Sequence, residues 1–129
     1  MPALDTNCLL RWILGDVPEQ AARVDALLGS GETIVISDVA LIETVFVLEK
    51  VKKINRATIE KVVALIVGQD AVLCNRDFFL ELIPVYVGHP ALSFVDCYLA
   101  VLAQKTDTAP LFTFDKKLAT QLPAAKLLA

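Results

Sequence analysis

Short runs of Val, Ile and Leu alternate along this chain with longer segments whose apolar residues recur every three or four positions. The short runs are PAL at 2–4, TIVIS at 33–37, AVLC at 71–74, PLFTF at 110–114 and, as a fifth, KLL at 126–128. Runs of this kind read as buried strands, because they leave no polar face for solvent. The longer segments predict a helix pair near 7–28, helices near 38–51 and 55–68, two more near 76–87 and 93–105, and a short one from about 116. Strands alternating with helices throughout a chain build a parallel sheet covered on both faces. The expected class is α/β, with a central sheet of about four or five strands. In such sheets ligands collect beyond the carboxyl ends of the strands.

Four acids draw attention within that pattern. Asp5 follows the first strand at once, and Asp115 follows PLFTF in the same way. A helix N-cap explains either one taken singly, since Asp commonly starts a helix after a strand. Glu43 lies in VALIETVFVL, where only it and Thr44 are polar. A carboxylate held against a core has to be paired, protonated or bound to a metal; otherwise Glu43 sits on a narrow solvent stripe or meets an Arg. Asp96, three residues after Ser93 in LSFVDCYLAVLAQ, fits a capping box and is the one acidic spot on an apolar helix.

Composition narrows the class. With 129 residues the chain is read as one domain, 1–129, and its apolar fraction of 56% exceeds the usual soluble range. Charges at Glu43, Lys50, Asp70 and Glu81 interrupt every apolar run before it reaches spanning length, so the excess is read as a doubly covered sheet plus an interface. No basic segment leads into an apolar one at the start, and Cys8, Cys74 and Cys97 share no metal-ligand spacing. Both features suit a cytoplasmic protein with reduced thiols and no membrane association. His89, in GHP, is read as a loop residue outside the chemistry.

Taken together, LDTN, IETVFVLEK, SFVDCYLA and TFDKKL, in this order and at these separations, resemble the PIN-domain ribonucleases, particularly the VapC-like toxins of bacterial toxin–antitoxin pairs. The resemblance runs from Pro2 to about Leu118. It implies a three-layer α/β/α fold and an acidic metal-binding cluster of Asp5, Glu43, Asp96 and Asp115, with Thr6, Asn7 and Thr113 in support. Arg11 matches a position frequently basic in the family. One departure is DCYLA, where many members carry Asp-Ala before an apolar pair; the acid is kept.

The implied activity is Mg²⁺- or Mn²⁺-dependent hydrolysis of RNA phosphodiester bonds. Hard divalent cations take oxygen ligands, and a water polarised by such a cation can attack phosphorus in line with the leaving oxygen. The net charge of −3 opposes binding to a polyanion, but cations bound at the four acids would mask that charge. Lys50, Lys52, Lys53, Arg56 and Lys61 cluster in one stretch, and Lys116 and Lys117 follow the last acid, as candidate phosphate contacts or as ordinary solvated surface. No series of stacking aromatics is evident. The resemblance also implies a homodimer and a cognate antitoxin protein as partners. The alternative from another class is a non-catalytic PIN-like module that binds protein or RNA. An aspartate-nucleophile phosphohydrolase fits poorly, because Asn7 stands where its second acid belongs, and neither phosphate-loop pattern, GxGxxG nor GxxxxGK[ST], occurs.

Overall fold

A computed structural model describes all of residues 1–129. The chain divides into two compact units, Met1–Leu80 and Glu81–Ala129. The first holds α1 (Thr6–Leu14), α2 (Pro18–Leu28), β1 (Ile34–Val35), α3 (Asp38–Phe46), a π-helical turn (Val47–Val51), α4 (Arg56–Val67) and β2 (Val72–Leu73). The boundary falls within α5 (Arg76–Gly88), and the second unit continues through α6 (Phe94–Lys105), β3 (Leu111–Thr113), α7 (Lys116–Gln121) and β4 (Ala125–Leu127).

Every strand pairing is parallel, as the alternation requires. In the first unit β1 pairs with β2 in the register Ile34–Val72 and Val35–Leu73. The N-terminal segment joins the other edge of β1: the Leu4 amide donates to the Val35 carbonyl at 3.0 Å and the Val35 amide to the Pro2 carbonyl at 2.8 Å. Because the three segments run the same way, Asp5 and Ser37 emerge at neighbouring carboxyl ends. In the second unit β3 pairs with β4 from Leu111–Ala125 to Thr113–Leu127. All five expected strand segments thus pair in parallel. Their ladders are shorter than the apolar runs, two residues each in β1 and β2 and three each in β3 and β4.

The helices start and stop on local signals. Ser37, Asn55 and Ser93 cap α3, α4 and α6 through side-chain oxygens. Gly15 ends α1 in a left-handed conformation at φ 63°, its amide bonded to the Arg11 carbonyl at 3.0 Å, a geometry that costs a residue with a Cβ. The helix expected near 38–51 is composite: α3 widens into the π turn, where the Lys52 amide reaches the Val47 carbonyl at 3.0 Å.

Buried in the first unit are Leu9, Ile34, Ile36, Leu41, Val45, Leu48, Ile59 and Ile66, and α1 packs on both α2 and α3. This packing sets the angle at which α1 leaves Asp5. In the second unit, fully buried Tyr86 meets Phe94 edge-on, with ring centroids 5.0 Å apart. No helix is long and apolar enough to cross a membrane.

Candidate active site

The first strand delivers Asp5 in extended conformation, at φ −88° and ψ 176°, and its Oδ1 accepts the Cys8 amide at 2.8 Å. The aspartate therefore caps α1. That same hydrogen bond is the main cause holding the Asp5 carboxyl below its ordinary value. Desolvation acts in the opposite direction and is outweighed by the cap.

One residue on, the Thr6 hydroxyl donates to Glu43 Oε1 at 3.3 Å, joining the start of α1 to the middle of α3. Asp5, Thr6 and Glu43 line one open cleft of about 330 Å³ with Ala3, Leu4, Ser37, Val39 and Ala40. Two carboxylates from different elements thus share a cleft at the carboxyl ends of adjacent parallel strands, where an α/β sheet presents its ligand site.

Glu43 is exposed, which corrects the expectation of a carboxylate held against the core. Its neighbours at helical spacing, Val39 and Phe46, are 64% and 57% exposed and form the solvent stripe with it. The core side of α3 is Ala40, Leu41, Thr44 and Val45. Thr44, the buried polar residue, returns its hydroxyl to the Ala40 carbonyl at 2.7 Å.

In the second unit Ser93 Oγ accepts the Asp96 amide at 3.1 Å, half of a capping box. The half-buried Asp96 carboxylate does not complete the box, and neither hydrogen bond nor ion pair engages it. Asp115 caps α7, its Oδ1 accepting the Lys117 and Leu118 amides at 2.9 and 3.3 Å. The Thr113 hydroxyl in turn accepts the Asp115 amide at 3.0 Å, fixing the turn from which that carboxylate projects.

Oxygen donors alone line the polar side of the Asp5–Glu43 cleft. Mg²⁺ is commonly held by one or two carboxylates, several waters and a substrate phosphate, so this donor set fits a hard divalent cation. No group of three or more His, Cys, Asp or Glu side chains is placed to cage a metal ion on its own.

The remaining candidates lie elsewhere. Asn7 and Arg11 line a separate cavity of about 250 Å³ between α1 and α2, with Cys8, Gln20, Arg23 and Val24. Arg11 pairs with Asp16 at 2.7 Å. Arg56 pairs with Glu49 at 2.9 Å, the two side chains only 13% and 18% exposed, and so ties α4 to the π turn. Lys50, Lys52 and Lys53 are exposed on and after that turn, as are Lys116 and Lys117 at the start of α7. His89 is half-buried, with Nδ1 2.7 Å from the Val85 carbonyl oxygen, a local structural contact. The three cysteines are free, and burial pushes the Cys8 and Cys74 thiols up. Ser37 is a cleft residue that sequence reasoning missed; its position at the end of TIVIS, before a helical pattern, is the N-cap signal that finds it.

No curated protein and no solved structure matches the chain. The family model described as PIN domain, whose fold is a three-layer α/β/α arrangement, matches residues 3–121, which takes in all four acids and reaches from the first compact unit into the second. The chain belongs to the PIN domain family.

Proposed function

We propose that this chain is a cytoplasmic, Mg²⁺- or Mn²⁺-dependent endoribonuclease, the toxin of a toxin–antitoxin pair, folded as one PIN domain over residues 1–129. The observation that carries the proposal is the cleft shared by Asp5 and Glu43 at the strand ends. PIN domains are in general nucleases, and a matched region that crosses the unit boundary supports a single domain.

Asp5 and Glu43 would hold the cation; Asp96 and Asp115 are the remaining acids that the family resemblance assigns to metal binding. When bound, the cation neutralises charge developing on the phosphate and raises the acidity of an attacking water. Asp5 contributes a carboxylate held below its ordinary value, because the Cys8 amide favours the charged form. Thr6 fixes Oε1 of Glu43, leaving Oε2 to orient the attacking water and accept its proton. The new bond joins that water oxygen to phosphorus while the bond to the leaving ribose oxygen breaks. Asp115 and Asp96 stand on helix starts, so their carboxylates are positioned by backbone amides or by the first helical turn. Lys52, Lys53, Lys116 and Lys117 supply cationic contacts to flanking phosphates.

Two of the four acids also serve as helix caps, a role that a non-catalytic binding module would keep. A labelled RNA pool incubated with Mn²⁺, with and without chelator, separates the two readings. Cleavage that stops in chelator supports the nuclease; binding without cleavage in either condition assigns the module.

A further inference from the structure

We propose that the exposed face of the β3–β4 pair is a stacking platform for the bases of single-stranded RNA. The proposal takes its ligand from the ribonuclease reading and adds where and how the strand is gripped. Side chains alternate across a strand, so Leu111 and Thr113 point to one side of β3 and Phe112 to the other. Phe112 lies directly beside Lys126 in the parallel register. Phe114 follows β3 directly, at the bend that leads into α7. Phe112 is 54% exposed and Phe114 79%. The Leu128 amide donates to the Thr113 carbonyl at 3.0 Å, which carries the pairing past β4 and sets half-exposed Leu128 at the same end.

Charge completes the pattern. Lys116, Lys117 and Lys126 are exposed, and none of them forms an ion pair. The acid among them, Asp115, commits Oδ1 to the α7 cap. Two open phenyl rings interleaved with unpaired lysines match what an unpaired nucleic-acid strand offers, base planes joined by phosphates. A protein partner fits less well, since the centres of protein interfaces are depleted in lysine.

The test is equilibrium binding of labelled single-stranded and duplex RNA in chelator, where no cleavage intervenes, with Phe112→Ala, Phe114→Ala, Phe114→Tyr and Lys126→Gln. Each Ala variant should bind single strands about 5- to 100-fold more weakly, as removal of one stacked base predicts, and duplex as the wild type does. Phe114→Tyr should keep wild-type affinity, and Lys126→Gln should reduce the salt slope by about 0.7. Wild-type affinity in both Ala variants overturns the platform, as does light scattering in which either Ala change converts a dimer to a monomer. Mn²⁺-dependent cleavage by Ala variants of unaltered affinity would remove the platform and leave the nuclease. Ring-dependent binding by a wild type that never cleaves would do the reverse.

Discussion

The Thr6 hydroxyl and the Glu43 carboxylate meet across the cleft, 37 residues apart in sequence, at 3.3 Å. This contact couples the start of α1, where Asp5 is held, to the exposed stripe of α3. It makes Thr6 an orienting residue for one carboxylate while its neighbour supplies the other. Thr6→Val should leave the metal-free melting temperature nearly unchanged, since exposed hydrogen bonds contribute little net stability. Its apparent Mn²⁺ affinity, read from the rise of melting temperature with metal, should fall about tenfold. An unaltered metal response would remove Thr6 from the site.

Acidification tests the cap on Asp5. A carboxyl whose value is depressed by folding contributes stability that is present above its ordinary value of 3.8 and is lost as pH falls through the folded value. Asn caps a helix about as well as Asp but does not titrate. Metal-free wild type and Asp5→Asn should therefore differ in pH dependence, the wild type losing more stability than the variant below about pH 3.8. Parallel curves in denaturant melts across the acid range would contradict this assignment.

The basic stretch after α3 separates into two roles. Lys52→Glu with Lys53→Glu should weaken RNA binding and lower the salt slope by about 1.4, or about 0.7 for each phosphate no longer neutralised, without changing the melting temperature. Arg56→Gln should act on stability instead, by about 2 kcal/mol, because it removes a charged hydrogen bond to the partly buried Glu49 carboxylate. Salt-dependent anisotropy and thermal melts check both; an unchanged salt slope in the double lysine variant returns those residues to the solvated surface.

The expected homodimer has exposed apolar side chains to draw on, Val39 and Phe46 on α3 and Val95 and Leu99 on α6. A stable interface should bury at least about 1,000 Å² in total. Light scattering at micromolar concentration should give twice the 14.0 kDa mass of one chain; a monomer rules out the stable dimer and leaves the chemistry of the cleft untouched.

Much of this architecture was legible because local signals and tertiary structure agree. Ser93 and Asp115 begin helices where capping rules place them, and each apolar run that reads as a strand finds a parallel partner. Glu43 shows where the reading slips: Val39 and Phe46 put apolar surface on the outer face of α3, so periodicity could not tell solvent from core. The Arg56–Glu49 pair depends on the π turn, which leaves no plain mark in composition. Phe112 and Phe114 looked like interior residues of a doubly covered strand, but both are exposed, and Phe112 lies beside Lys126 in the register. Asp5, Asp96 and Asp115 stood out through their addresses at strand and helix ends and Glu43 as an acid in an apolar run, while the contact between Thr6 and Glu43 required the fold.

Cleavage of one labelled RNA by wild type and Asp5→Asn, side by side in Mn²⁺ and in chelator, tests the central claim most directly. Asn preserves the shape of the side chain and the α1 cap but removes the charge that the proposal assigns to holding the cation. Wild type should cleave in Mn²⁺ and stop in chelator, while Asp5→Asn, folded and melting near the wild-type temperature in chelator, should cleave in neither. Wild-type cleavage by the purified, folded variant would contradict the account.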